Sequence, residues 1–351
     1  MTDHIRNAWY VAATADELRT DKLLARTLLG EPMVFFRDRN GTAAALNDRC
    51  PHRKFPLSRG RIVDGELECG YHGARFAGSG ACTFIPAQET IPSRFGATSY
   101  RVEERHRLVW LWGGEPDRAD PSLIPAAWSI NHEPGWRPVF GYHYVRGNYQ
   151  LVLDNILDLT HVAFVHRSTL NSPQVTQVPL EVQVEDNSIR TLRITRGADC
   201  PPLFKRARPD LPGKIDRWQK SQFFMPSLLI GDMRGYPAGN EDLSAAMRYC
   251  VLNGITPETE TTTHYFWSVV RSFALHDDAV DGVLRDGIVQ AFDEDCDVIA
   301  VQQQRISSDR SGTPLGSFVS CRAPKSAYFA RVGSKSTALT GAVLMLVAIA
   351  C

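Results

Sequence analysis

Residues 50–72 read CPHRKFPLSRGRIVDGELECGYH, and in them two cysteines alternate with two histidines. Cys50 and His52 are separated by one residue, and Cys69 and His72 by two, with sixteen residues between the pairs. Each pair offers one thiolate and one imidazole. A [2Fe-2S] cluster in which two histidines replace two cysteines on one iron needs these four ligands. The pattern therefore predicts such a cluster.

A Cys₂His₂ zinc site is the alternative, because zinc uses the same side chains. Zinc sites more commonly group like ligands, as Cys-x₂₋₄-Cys followed by His-x₃₋₅-His. In residues 50–72 the two kinds of ligand alternate instead. The spacing favours the iron-sulfur cluster, and zinc stays open as the alternative.

The sequence around this motif is typical of short β-strands. Apolar runs at 33–36, 42–46 and 107–112 are separated by glycines and other turn-forming residues. Residues 115–138 are rich in Pro, Asp and Ala, which indicates a connection between domains. A chain of 351 residues is long enough for two domains. We predict an all-β domain at 1–120 and a second domain at 121–351.

The second domain is predicted to be α+β, with its sheet and helices segregated. Predicted strands lie at 139–145, 180–184, 189–195, 222–230, 247–252 and 262–270, where apolar residues recur in short runs. Residues 149–165 and 278–305 have apolar residues at helical intervals. Two long helices and a sheet in one segment favour this architecture.

A second group of candidate metal ligands lies in the first of these helices. His161 and His166 are five residues apart, which corresponds to roughly 140° on a straight helix. The helix must therefore bend or end between them, near Ala163, if both bind one ion. Two imidazoles and one carboxylate form the facial triad of non-haem Fe(II) oxygenases. The carboxylate is expected from the acidic segment 293–297, although such segments are more often solvated helix faces.

Composition and termini narrow the function classes. The chain has 39 basic and 39 acidic residues and no basic tract, which argues against a nucleic-acid partner. The charged N-terminus lacks the apolar core of a secretory signal, so we expect a cytoplasmic protein without a membrane span. Its eight cysteines are then expected as thiols or ligands. The apolar tail 341–351 is predicted to be a buried or subunit-interface helix, with a membrane-surface contact or a tail foreign to the fold as alternatives.

Taken together, these motifs resemble those of the oxygenase component of Rieske non-haem iron oxygenases. The opening 7–12, NAWYVA, is similar to the branch that contains vanillate O-demethylase, dicamba demethylase and toluenesulfonate methyl-monooxygenase. The resemblance covers nearly the whole chain and weakens beyond about residue 320. Two family motifs are matched, Cys-x-His-x₁₆-Cys-x₂-His by Cys50, His52, Cys69 and His72, and Asn-x₂-Asp-x₂-His-x₄-His by Asn155, Asp158, His161 and His166.

The resemblance implies a Rieske domain followed by a helix-grip (START-like) catalytic domain, assembled as a homotrimer. It implies that Asp295, which follows Glu294, is the third iron ligand. Asp158 would connect His72 of one subunit with His161 of the next, and Asn155 would lie close to the iron without being a firm ligand.

The implied function is that of a monooxygenase. Electrons from NAD(P)H would arrive through a ferredoxin or a flavin/iron-sulfur reductase, and O₂ would be used for O-demethylation or methyl hydroxylation of an aromatic acid. Asn253 is a candidate for the substrate pocket. Alternatives are a ring or benzylic hydroxylase with the same metal sites, and an electron carrier or zinc-stapled binding module. A carrier alone has little use for the residues after 120.

Overall fold

The structure is a computed structural model that describes residues 4–184, 188–240 and 246–309. It divides into two compact units. One unit holds the described residues up to Ala126 together with Thr256–Glu260, and the other holds Ala127–Ile255 and the described residues from Thr261 onward. The tail predicted to be a helix at 341–351, with Cys321 and Cys351, lies outside the described residues. Within the described ranges no helix combines the length and apolar content that crossing a membrane requires.

The first unit consists of three small antiparallel sheets, as the all-β prediction requires. The sheets have the strand orders β1-β11-β10, β2-β3-β4-β9 and β5-β6-β7-β8. The predicted strands at 33–36, 42–46 and 107–112 are confirmed as β3, β4 and β11. The strands are β1 (Trp9–Thr14), β2 (Leu24–Leu28), β3 (Glu31–Arg37), β4 (Ala43–Asn47), β5 (Arg61–Val63), β6 (Glu66–Glu68), β7 (Arg75–Phe76), β8 (Cys82–Phe84), β9 (Ser99–Tyr100), β10 (Val102–Arg105) and β11 (Leu108–Trp112).

Strand β3 contributes to two separate cores of this unit. Successive side chains of a strand point to opposite faces. Phe35 therefore packs into one core, while Val34 and Phe36 pack into the other. Burial of each such side chain contributes roughly 1.5–3 kcal/mol. Because Cys50 and Cys69 are members of the second core, the residues predicted to bind the cluster are anchored in packed structure.

The second unit is built on one seven-stranded antiparallel sheet of order β12-β18-β17-β16-β15-β14-β13. Its strands are β12 (Arg137–Val145), β13 (Glu181–Val184), β14 (Ser188–Asp199), β15 (Lys214–Phe224), β16 (Leu228–Pro237), β17 (Met247–Pro257) and β18 (Thr263–Arg271). Its helices are α1 (Tyr149–Leu157), α2 (Val162–Val165), α3 (Pro202–Ala207) and α4 (Asp278–Ser308). The predicted α+β architecture with a helix-grip arrangement is confirmed.

Helix α4 confirms the helix predicted at 278–305. Asp277 caps it by accepting a hydrogen bond from the Ala279 amide at 2.9 Å. The helix approaches α3 closely at Gly287, where an added Cβ would lie 2.4 Å from the Leu203 side chain. Its buried positions recur every three or four residues, and the buried face includes Val280, Leu284, Ile288, Ala291, Asp295 and Ile299. A carboxylate thus lies on the apolar face of this helix.

The predicted distortion of the first helix near Ala163 is misplaced. Helix α1 ends at Leu157, and Asp158 has φ −88° and ψ 87°, outside the helical region. Its side chain accepts a hydrogen bond from the backbone amide of Thr160 at 2.9 Å. Asp side chains compete in this way with the helical backbone, so the chain leaves the helix at 158–161.

The prediction of one strand at 222–230 is wrong. Strand β15 ends at Phe224 and β16 begins at Leu228, and the two pair as antiparallel neighbours. Pro226 has no amide hydrogen to donate to a sheet ladder, which favours a turn at this point. The apolar residues on both sides of the turn concealed it in the sequence.

Candidate metal centres

Two loops of the same geometry present the candidate ligands of the first centre. In each loop the cysteine amide donates at 2.8 Å to the carbonyl five residues later. The amide of Lys54 donates to the Cys50 carbonyl at 2.9 Å, and that of Gly73 donates to the Cys69 carbonyl at 3.0 Å. Lys54 and Gly73 have φ values of 57° and 72°, the left-handed conformation that closes both turns. Two separate loops of the same sequence region therefore have matching backbone geometry.

The four predicted cluster ligands divide into a buried pair and an exposed pair. Cys50 and Cys69 are each 2% exposed, whereas His52 and His72 are exposed with ring centroids 4.5 Å apart. Burial raises the pKa of the Cys50 thiol to about 11. Binding of a metal group would therefore release a proton. Two buried thiols and two exposed imidazoles are a donor set that fits a [2Fe-2S] cluster with two sulfur and two nitrogen ligands.

The second centre brings together His161, His166 and Asp295. Their possible ligand atoms all lie within 4.8 Å of one another. The two Nε2 atoms are 3.2 Å apart, and Asp295 Oδ1 lies 3.5 Å from His161 Nε2 and 3.3 Å from His166 Nε2. Donors about 2.1 Å from a shared ion are separated by about 3.0 Å at right angles and about 3.4 Å in a tetrahedral arrangement. The spacing fits a bound ion.

Hydrogen bonds fix both imidazoles in the tautomer that a metal requires. His161 Nδ1 donates to the carbonyl of Asp158, and His166 Nδ1 donates to Glu294 Oε2 at 2.9 Å. Each Nε2 then keeps its lone pair available for an ion shared with Asp295. Burial lowers the pKa of His161. For His166 burial also acts to lower the pKa, but the bonds to Asp295 and Glu294 outweigh it, and its pKa is raised.

Short local structure positions these three side chains. His161 precedes α2 and His166 follows it, so the helix end between them supplies the turn that a straight helix lacks. Within the acidic segment, Asp293 and Asp297 are exposed, whereas Asp295 is on the buried face of α4. Glu294 contacts Nδ1 of His166, the ring nitrogen that faces away from Asp295. Sequence reasoning noted Glu294 but did not give it this role.

The other predicted site residues lie at different distances from this group. Asn155 donates from Nδ2 to Asp295 Oδ1 at 3.0 Å. Within the described ranges its buried Oδ1 has no hydrogen-bond partner. Asp158 touches the group through its carbonyl. Asn253 is buried in the sheet, where it donates to the Leu229 carbonyl at 3.2 Å and accepts from the Tyr265 hydroxyl at 2.7 Å. Both polar atoms of the Asn253 side chain are therefore bonded to neighbouring strands of the sheet.

Asp154 offers a test of the electrostatics beside Asp158. Burial, with a smaller contribution from Asp158, raises the pKa of Asp154 to about 7. In the unfolded chain the carboxyl titrates near 3.9, so the folded state binds an extra proton between about pH 4 and pH 7. Stability therefore falls as pH rises through this window and stays lower above it. We expect Asp154→Asn to raise the melting temperature at pH 8 and to raise it less at pH 5. The corresponding gain in the free energy of unfolding at pH 8 is a few kcal/mol or less.

Thermal unfolding at pH 5 and pH 8 measures this difference directly. The matched control is Asp297→Asn, which removes an exposed carboxylate and should change neither melting temperature appreciably. A lower melting temperature for Asp154→Asn at pH 8 would contradict the assigned burial cost.

Comparison with known proteins matches two segments of the chain to two different family models. Residues 8–95 match the Rieske [2Fe-2S] domain, and residues 145–321 match the vanillate O-demethylase oxygenase C-terminal domain. The toluene-4-sulfonate monooxygenase system iron-sulfur subunit of Comamonas testosteroni is 39% identical over 89% of this chain and 92% of that protein. The dicamba O-demethylase oxygenase component of Stenotrophomonas maltophilia is 36% identical over 88% of this chain and 91% of that protein.

Solved structures extend the likeness to the fold. Dicamba monooxygenase bound to 3,6-dichlorosalicylic acid superposes with a TM-score of 0.85 at 32% identity, covering 98% of this chain and 96% of that one. Dicamba monooxygenase with non-heme iron and dicamba gives a TM-score of 0.79 at 32% identity, covering 98% and 95%. Matching ligand loops, the His-His-Asp group and this similarity along most of both chains lead to one conclusion: the chain belongs to the Rieske non-haem iron oxygenases, as an oxygenase component of the vanillate O-demethylase type.

Proposed function

We propose that this monooxygenase component inserts one oxygen atom of O₂ into a methoxy or methyl group of a small aromatic acid. The observation that carries the proposal is the convergence of His161, His166 and Asp295 in a chain that also holds two matching Cys/His loops. Relatives whose names specify toluene-4-sulfonate and dicamba support a small aromatic substrate. Oxygen inserted into a C–H bond of the methoxy group yields a hemiacetal, which separates into a phenol and formaldehyde. Two electrons from the reductase and two protons reduce the other oxygen atom to water.

The proposed holders of the two metal groups follow from the donor sets. Cys50, His52, Cys69 and His72 would hold the cluster, and His161, His166 and Asp295 would hold the iron. When bound, these groups supply single-electron transfer and O₂ activation. Glu294 and the Asp158 carbonyl keep the imidazoles oriented, and Asn155 holds the Asp295 carboxylate. We assign the cluster to a domain at 1–120 and the iron to a domain at 121–351.

The assembly we propose is a homotrimer in the cytoplasm that receives electrons from NAD(P)H through a ferredoxin or a flavin/iron-sulfur reductase. Asp158 of one subunit would connect its own His161 with His72 of a neighbour. Two features support this route: His72 is exposed, and Asp158 is already hydrogen-bonded to His161 through its carbonyl. Sedimentation velocity of the purified protein tests the trimer.

A substrate panel tests the reaction. Metal-loaded oxygenase with a generic reductase and NADH should release formaldehyde from at least one methoxybenzoate in proportion to O₂ consumed. Toluene-4-sulfonate in the same panel reveals methyl hydroxylation, because it yields an alcohol and no formaldehyde. Absence of any O₂-dependent product from fully loaded enzyme would refute the proposed reaction.

Spectroscopy tests the first centre without any substrate. The purified protein should contain acid-labile sulfide, and after reduction its cluster should give an EPR signal. A zinc-stapled binding module would be colourless and EPR-silent. Protein that binds metal at these four side chains but contains no acid-labile sulfide would contradict the cluster assignment.

A further inference from the structure

The inner face of strands β14 and β15 is polar where a core face is expected to be apolar. In antiparallel sheets the face that packs on a core normally carries apolar side chains. Here three consecutive cross-strand pairs of this face are polar, and every member is 4% exposed or less. The pairs are Thr191 with Ser221, Arg193 with Gln219, and Thr195 with Arg217.

Arg193 is a buried cation that forms no ion pair with any residue in the described part of the chain. Its Nε and Nη1 atoms have no hydrogen-bond partner, and throughout the described part of the chain no carboxylate oxygen lies within 4.0 Å of its guanidinium. Burial lowers the pKa of Arg193, although the Asp158 carboxylate acts in the opposite direction from farther away. A buried charge without a partner destabilises the folded protein. Charged groups with strongly perturbed surroundings concentrate at functional sites, where a ligand can supply the missing charge.

Arg217 adds a second buried charge to the same face. Its Nη1 donates to the Leu170 carbonyl at 3.0 Å and to Ser172 Oγ at 3.1 Å, but its Nε has no partner in the ranges that the structure describes. Arg217 is a diagonal neighbour of Arg193, because Gln219, the cross-strand partner of Arg193, is two positions further along β15. Two guanidinium groups at this spacing repel each other, and an anion between or beside them would relieve the repulsion.

The buried face that carries Arg193 and Arg217, the cationic face, is hydrogen-bonded to the segment that follows His166. The carbonyl of His166 accepts hydrogen bonds from the amides of Leu170 and Asn171, each at 3.1 Å. Arg217 in turn donates to Leu170 and Ser172. The residues directly after His166 therefore lie against the cationic face, within the same unit of the fold.

We propose that Arg193, supported by Arg217, binds the anionic group of the aromatic substrate, a carboxylate or a sulfonate, and so orients the opposite end of the ring toward the iron ligands. This inference rests on the proposed function and adds the residues that select an acid over a neutral aromatic. An arginine can donate several hydrogen bonds to one planar or tetrahedral oxyanion, and in a buried site such charge-assisted bonds are strong.

Binding measurements on metal-loaded oxygenase test the proposal without turnover. The probes are 3-methoxybenzoate, toluene-4-sulfonate and the neutral 3-methoxybenzamide, titrated by calorimetry into wild type, Arg193→Met, Arg193→Lys and Lys220→Met. Lys220→Met is the matched control, because this substitution removes one positive charge from the exposed face of the same pair of strands. Arg193→Met should weaken binding of the two anions about 100-fold and that of the amide less than about threefold.

Arg193→Lys should keep part of the affinity for the anions, and Lys220→Met should keep all of it. A melting temperature for Arg193→Met equal to or above that of the wild type is also expected, because the substitution removes an unpaired buried charge. A purely structural arginine would instead lower the melting temperature and weaken all three ligands alike, which would overturn the proposal. So would wild-type protein that binds neither anion, or Arg193→Met protein that binds both unchanged.

The outcomes also separate this proposal from the proposed reaction. If Arg193 governs anion binding while no substrate in the panel is oxidised, only the reaction is refuted. If methoxybenzoate is demethylated with an unchanged KM by Arg193→Met, only the anion site is refuted. A response to toluene-4-sulfonate but not to 3-methoxybenzoate identifies the sulfonate as the group that the site accepts, and the reverse identifies the carboxylate.

Discussion

Replacing Asp295 with alanine is expected to lower turnover about a thousandfold or more while leaving the cluster intact. Asp295 is the only carboxylate within the described ranges whose oxygen lies within 4.0 Å of both His161 Nε2 and His166 Nε2. Without it, two imidazoles alone would have to hold the ion, and the anionic ligand that Fe(II) sites of this kind use would be lost. The iron content of the purified variant should fall with the activity.

The matched control is Asp297→Ala, which changes an exposed carboxylate two positions away on the same helix. It should keep wild-type iron and activity. Metal analysis counts the iron, and EPR of the reduced protein reports the cluster separately. If Asp295→Ala kept one mononuclear iron per chain and its activity, the carboxylate ligand would have to be sought elsewhere.

The ligand loops of the first centre were predictable because their chemistry is local in sequence. Residues 50–72 hold all four side chains, and the alternation of Cys and His distinguishes the cluster from common zinc patterns. The matching turns around Lys54 and Gly73 were not predictable. Lys54 has a positive φ that few residues other than glycine adopt, so composition gives no indication of it.

The second centre required information that local sequence does not contain. Four of the five residues 293–297 are acidic, and only their position on α4 decides that Asp295 is buried while its neighbours at 293 and 297 are exposed. The family resemblance, rather than periodicity, indicated Asp295. The role of Glu294 depends on a contact with His166, 128 residues away. Such contacts are set by the packing of α4 against the rest of the unit.

One local prediction failed for a reason that the residues themselves explain, and one feature was not predicted at all. The single strand expected at 222–230 ignored Pro226, which demotes a run of apolar residues from strand to turn. The polar inner face of β14 and β15 was not predicted, because alternation along a strand separates two faces but does not show which face Arg193 and Gln219 occupy in the fold. Only the register with neighbouring strands shows that they point inward.

Replacing Asp158 with asparagine is expected to reduce reductase-coupled turnover at least about 100-fold while both metal groups remain bound. Asn keeps the size of the side chain and an oxygen that can accept from Thr160, as Oδ1 of Asp158 does at 2.9 Å. The carbonyl that orients His161 belongs to the backbone and is unchanged. What the substitution removes is the negative charge, which the proposed route between subunits requires to link two imidazoles.

Asp154→Asn is the matched control, because it removes a carboxyl one helical turn earlier that has no place in the proposed route. Stopped-flow reduction of the cluster by the reductase should be unaffected in both variants, since Asp158 contributes nothing to the Cys50 and Cys69 loops. The diagnostic result is a cluster that is reduced at the normal rate and is then not reoxidised in the presence of substrate and O₂. Discharge at the wild-type rate in Asp158→Asn would show that electrons reach the iron without this carboxylate, and the proposed route through the trimer would have to be abandoned.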